Sequence, residues 1–122
     1  MILVDTAVWI DHLHKSEPDL VAMLGADEVG CHPYVIEELA LGSLKRLTTV
    51  LELLGSLHSF PVLTHDEVMA LVSGRQLWGR GLSAVDVQLL GSVALVGGAR
   101  LWTRDRRLAA ACRDVGLSLE PS

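Results

Sequence analysis

The chain opens Met1-Ile2-Leu3-Val4-Asp5-Thr6, and no other stretch narrows the possible folds as much. Three successive apolar residues with no polar alternation suit a short strand buried on both faces of a parallel sheet. Asp5 must then be delivered to an edge of the core. The period changes from Thr6 onward, where Ala7, Val8, Ile10 and Leu13 follow a helical spacing. Asp5-Thr6 is therefore expected at a strand-to-helix junction, at the carboxyl end of the first strand, where open α/β sheets place their ligands. Read alone, Asp5 serves equally well as the N-cap of that helix.

A chain of 122 residues is expected to form one domain, 1–122, around one core. Mean hydropathy is +0.40, yet charged residues, Gly or Pro break every apolar stretch well short of the ~20 residues that span a bilayer. No basic leader with a cleavage site precedes the first strand, so the expected compartment is the cytoplasm, with Cys31 and Cys112 as reduced, buried thiols. A net charge of −5 argues against a protein that coats nucleic acid. The cations are clustered, however: Arg100, Arg104, Arg106, Arg107 and Arg113 fall in the last quarter, and Lys45-Arg46 forms a second group. If several acids are consumed by a metal site, the surface around it can still attract phosphates.

Strands and helices alternate throughout, which predicts an α/β/α sandwich of three layers with a mainly parallel sheet. Pro18 opens a short second helix over 19–26, and 28–31 reads as a second strand. His32-Pro33 opens a helix closed by Gly42, and Ser43 is expected to cap another that stops at Gly55. Phe60–Leu63 reads as the third strand. Thr64 with Glu67 forms a capping box for a helix running from His65 toward Arg80, and Ser83 with Asp86 opens the most apolar helix, 84–96. A strand over 100–103, a basic helix over 105–115 and a short strand over 117–119 complete the chain.

Several acids stand where apolar residues are expected. Asp86 shares a helical face with Leu89, Leu90, Val93 and Gly97, so its carboxylate projects from the strip that packs on the sheet. A buried charge costs several kcal/mol unless a cap, a cation or a metal holds it. Asp105 repeats the arrangement at Asp5, following the short run Leu101-Trp102-Thr103. Glu37 and Glu38 lie in the first turns of the helix after Pro33, and helical geometry does not choose between them.

The set Asp5-Thr6 after an opening strand, Glu38-Leu39-x-x-Gly42, Leu82-Ser83-x-x-Asp86 and Leu101-x-Thr103-x-Asp105 resembles the PIN domain, and more narrowly the VapC toxins of type II toxin–antitoxin pairs. The resemblance covers essentially the whole chain. It selects Glu38 over Glu37, because the family's second acid precedes Leu-x-x-Gly. It implies metal ligation and catalysis by Asp5, Glu38, Asp86 and Asp105, with the hydroxyls of Thr6 and Thr103 in support. It also implies endonucleolytic cleavage of RNA to 5′-phosphate and 3′-hydroxyl ends, a VapB-like antitoxin as partner, contact with DNA only through that antitoxin, and a homodimer.

The donor chemistry agrees. Crowded carboxylates repel, and a hard divalent ion removes the conflict; oxygen donors suit Mg²⁺ or Mn²⁺ rather than Zn²⁺. His12, His14, Cys31 and His32 match no zinc spacing. Arg104, Arg106 and Arg107 are the candidate phosphate contacts. Trp9, Trp78 and Trp102 are expected in the core or an interface. A haloacid-dehalogenase-type phosphatase needs a second Asp where Ala7 stands, and a receiver domain needs a late lysine, whereas the last is Lys45. The remaining alternative is a PIN-like module that binds metal without catalysis. Val8, Leu13, Leu20, Leu24, Val35 and Leu41 exceed what one thin sandwich needs to bury and are expected to form a partly exposed apolar face for the antitoxin helix.

Overall fold

Ile2–Val4 form β1, with every side chain fully buried. Around it stand β2 (Val29–Cys31), β3 (His58–Ser59), β4 (Arg100–Trp102) and β5 (Ser118–Leu119), in the order β3-β2-β1-β4-β5. All four pairings are parallel, with Leu3 opposite Gly30 on one side and Leu101 on the other. The structure is a computed structural model describing residues 1–121.

Among the described residues seven helices connect the strands: α1 (Thr6–His14), α2 (Pro18–Gly25), α3 (Pro33–Ala40), α4 (Leu47–Ser56), α5 (His65–Gly74), α6 (Ala84–Leu95) and α7 (Arg106–Asp114). Parallel crossovers are right-handed, so the steps β1→β2→β3 to one side and β3→β4→β5 to the other put α1–α4 on one face and α5–α7 on the opposite face. The packing agrees: α1 meets α3 and α3 meets α4, while α6 meets α5, α7 and β4. The domain is a parallel-sheet α/β fold, as the alternating pattern predicts. The direction of strand addition reverses between β1 and β4, and the strands' carboxyl ends at such a reversal are where open parallel sheets place their ligands.

Three expected boundaries move. Phe60–Leu63 is not the third strand; that place belongs to His58–Ser59, and only the Phe60 N–H continues the ladder, to the Cys31 carbonyl at 2.9 Å. The apolar run 60–63 packs under α6 instead, where the buried Gln88 amide accepts from the Leu63 N–H and donates to the Leu63 carbonyl, both at 2.9 Å. The Ser92 hydroxyl donates to the Pro61 carbonyl at 2.7 Å. Side chains of a helix thus do the work of a neighbouring strand. Ser43 does not cap α4, which starts four residues later, after Arg46 in the left-handed region (φ 56°), and runs past Gly55. The helix from His65 ends at Gly74 rather than near Arg80, because Gln76 turns the chain through a positive φ. Both expected capping boxes, Thr64–Glu67 and Ser83–Asp86, are present.

The apolar face expected on the first helices is half wrong. Val8, Leu20 and Val35 are fully buried core residues and Leu24 is half-buried, leaving Leu13 and Leu41 exposed. Helices on both faces of so small a sheet need more apolar residues than a count for one thin sandwich allows.

Replacing Gln88 by Met keeps the volume but strands two buried backbone groups at Leu63. Urea denaturation is expected to show a loss of roughly 2–4 kcal/mol, and an unchanged midpoint contradicts this account of residues 60–63.

Candidate metal centre

Asp5 caps α1: its Oδ1 accepts the Thr6 N–H at 2.7 Å, and its own N–H extends the ladder to the Trp102 carbonyl at 2.9 Å. Oδ2 accepts the Thr103 hydroxyl at 2.7 Å. The cap reading and the site reading of Asp5 are therefore compatible, since each oxygen keeps a lone pair. The Thr6 hydroxyl donates to Glu38 Oε1 at 2.8 Å, tying the start of α1 to α3. The structure thus brings Glu38 to the Asp5 corner, while Glu37 is exposed and makes no such bond. Asp86 accepts the Ser83 N–H at 2.9 Å through Oδ2 within its capping box. Asp105 caps α7 with Oδ1, which accepts from the N–H groups of Arg107 and Leu108, and its own N–H donates to the Thr103 hydroxyl at 3.1 Å. One hydroxyl therefore links the ends of β1 and β4.

Burial raises the pKa of the Asp5 carboxyl above its ordinary 3.8; the bonds from Thr103 and Thr6 oppose that, and the charges of Asp86 and Glu38 add to it. Asp5, Glu38 and Asp86 thus share one electrostatic neighbourhood. The Cys112 thiol of α7, fully buried, belongs to it too: burial pushes it up to about 12, Arg113 opposes, and the charges of Asp5 and Asp86 contribute. It is an inert, protonated floor under the acids. Nothing in the sequence marks that role. On the other side of β1, burial lowers the pKa of His32, whose neutral Nδ1 accepts the Tyr34 N–H at 3.0 Å and so caps the helix that carries Glu38.

Glu38, Asp86 and Asp105 each keep one carboxylate oxygen without a hydrogen bond among the described residues. Such a set, with Asp5, offers hard oxygen donors of the kind Mg²⁺ and Mn²⁺ take. In these rotamers no three His, Cys, Asp or Glu side chains among the described residues converge closely enough to enclose an ion. Each acid is instead turned to the cap or hydroxyl that holds it. The donor types fit a divalent ion, and Glu38, Asp86 and Asp105 each have an oxygen that no hydrogen bond among the described residues engages.

The candidate phosphate contacts divide. Arg104 is engaged, with Nε 2.7 Å from Asp11 Oδ2 and Nη2 2.7 Å from Glu17 Oε1. Arg106 and Arg107 are exposed and form no ion pair among the described residues. Arg107 lies across Gly81, where φ is +75° and an added Cβ would stand 2.6 Å from its Nη1. Trp9 and Trp102 are core residues, whereas Trp78 is 62% exposed on the loop before α6.

The PIN domain family matches residues 2–114. The chain belongs to that family. This PIN domain is 67% identical over 119 residues to Ribonuclease VapC32 of Mycobacterium tuberculosis, in both strain CDC 1551 / Oshkosh and strain H37Rv, covering 98% of this chain and 96% of each relative. A crystal structure of PAE2754 from Pyrobaculum aerophilum superposes with a TM-score of 0.58 at 22% identity, over 90% of this chain and 84% of that one, and supports the fold.

The raised pKa of Asp5 has a consequence for stability. The folded state holds that proton more tightly than the unfolded chain, so the stability the group contributes is complete below 3.8 and is lost as pH rises through the raised value. Without divalent ions, Asp5→Asn is expected to raise the melting temperature at pH 7, and the gap to the wild type should narrow as pH falls toward 4. Calorimetry showing a less stable variant at pH 7 contradicts this.

Proposed function

We propose that this protein is a Mg²⁺- or Mn²⁺-dependent endoribonuclease, the toxin of a VapBC-type pair, cutting RNA to 5′-phosphate and 3′-hydroxyl ends in the cytoplasm. The observation that carries the reading is the hydrogen-bonded chain at the reversal point of the sheet, in which Thr6 links Glu38 to the Asp5 cap and Thr103 links Asp5 to Asp105. The 67% identity to Ribonuclease VapC32 supports it.

In this reading Asp5, Glu38, Asp86 and Asp105 hold the ion, Thr103 orients Asp5, and Thr6 orients Glu38. The bound ion supplies Lewis-acid stabilisation of the charge developing on the phosphate and makes water a better nucleophile. Whichever of Asp86 and Asp105 left its free oxygen off the ion would accept the water's proton, and Arg106 and Arg107 would receive backbone phosphates beside the acids. Water as nucleophile leaves the 2′-hydroxyl out of the reaction, which accounts for the expected ends.

The antitoxin reading rests on a groove of about 810 Å³ between α1, α3 and the start of α4, lined by Ile10, Leu13, Leu39, Leu44 and Val50 together with Glu38. A VapB-like antitoxin seated there can extend a cationic side chain to Glu38, so its inhibition should weaken as Mg²⁺ is raised; metal-independent inhibition removes the cationic contact. Met69, Trp78 and Leu95 are exposed on the opposite helical layer and leave apolar surface for a homodimer, which sedimentation tests directly.

The deciding experiment incubates RNA with the protein in Mg²⁺, Mn²⁺ or EDTA and maps both ends. Cleavage in EDTA, or 2′,3′-cyclic phosphate ends, contradicts the mechanism. Asp5→Asn, Glu38→Gln, Asp86→Asn and Asp105→Asn should each lose more than the about ten- to hundredfold typical of a residue that only orients a ligand, the loss expected for Thr103→Val. Glu37→Gln should stay active.

A further inference from the structure

The charge count marks Arg104 as a phosphate contact, but its surroundings argue otherwise. Its Nε and Nη2 each lie 2.7 Å from a carboxylate oxygen, of Asp11 on α1 and of Glu17 in the turn before α2. The backbone places both acids beside Arg104. Asp11 stands on a helix, and the Glu17 N–H donates to His12 Nδ1 at 3.1 Å, directly ahead of Pro18, whose ring fixes the start of α2. A phosphate arriving at Arg104 meets two carboxylates already in place.

Arg104 is also the middle residue of Thr103-Arg104-Asp105. On one side the Thr103 hydroxyl donates to Asp5, and on the other the Asp105 carboxylate caps α7. We propose that Arg104 is a positioning residue: bracketed by Asp11 and Glu17, it fixes the β4–α7 loop against α1 and thereby sets where the carboxylates of Asp5 and Asp105 stand. The proposal rests on the ribonuclease reading for its kinetic consequence, though not for the bracket itself. Each exposed pair adds at most about 1 kcal/mol to stability, so the bracket does little for the fold as a whole. Its leverage is geometric, because a misplacement of about 1 Å at a reacting centre costs up to about a hundredfold in rate.

The test compares Arg104→Ala, Arg104→Lys, the double variant Asp11→Asn/Glu17→Gln and the triple variant with Ala. Cleavage kinetics, Mn²⁺ affinity and amide exchange at Arg107 and Leu108, whose N–H groups report the Asp105 cap, are read on each. Arg104→Ala and the acid double variant should both lower kcat by about tenfold or more and weaken Mn²⁺ binding, with KM for RNA unchanged, and the triple variant should be no worse than either. Arg104→Lys, which keeps the charge without the planar fork, should recover part of the loss. Exchange at Arg107 and Leu108 should quicken in all but the wild type. A raised KM with intact kcat in Arg104→Ala, together with a lowered KM in the acid double variant, makes Arg104 a phosphate contact and overturns the proposal. Should the wild type neither cleave RNA nor bind Mn²⁺, the ribonuclease reading fails, and exchange alone decides: faster exchange sustains the bracket and unchanged exchange overturns it.

Discussion

A carboxylate at the end of a fully buried strand is the constraint on which the rest of this molecule depends. Ile2, Leu3 and Val4 must be covered on both faces, so the chain needs helices on both sides of the sheet, and it supplies them by adding strands first to one side of β1 and then to the other. The same topology puts Asp5 at the point where the direction of strand addition reverses.

At Asp5 the competition is between desolvation and hydrogen bonding. Burial and the neighbouring charges of Asp86 and Glu38 favour a protonated Asp5, whereas Thr103 and Thr6 favour the carboxylate. Two threonines alone do not resolve the conflict, since the pKa remains raised. A divalent cation, as proposed for this site, would resolve it by replacing mutual repulsion among the acids with shared attraction. The hydroxyl of Thr103 holds Asp5 and that of Thr6 holds Glu38, so two of the four acids are tied to the junction of β1, β4 and α3.

What the sequence could reveal depended on how local each cause was. The switch from an apolar run to helical spacing at Thr6 placed β1, α1 and Asp5 correctly, and the caps at Thr64 and Ser83 were legible because each is closed within three residues. The third strand was not legible: Phe60–Leu63 looks more strand-like than His58–Ser59, but its backbone partners are Gln88 and Ser92, 25 and 31 residues away. Glu38 could not be told from Glu37 by helical geometry, and only the resemblance to PIN domains separated them before the bond from Thr6 was seen. Arg104 was legible as a charge and not as a partner, because Glu17 lies 87 residues from it. Exposure on the first helices was misjudged at Val8, Leu20 and Val35, where a residue's face is decided by helices that pack from elsewhere in the chain.

The central claim, that these four acids form one site for a hard divalent ion, is tested most directly by anomalous diffraction from a crystal soaked in Mn²⁺. The account predicts a peak among Asp5, Glu38, Asp86 and Asp105, with carboxylate oxygens at about 2.1 Å from it, the distance expected for a small hard cation. A fully occupied peak bound elsewhere on the protein, or none among these four acids at saturating Mn²⁺, would contradict it.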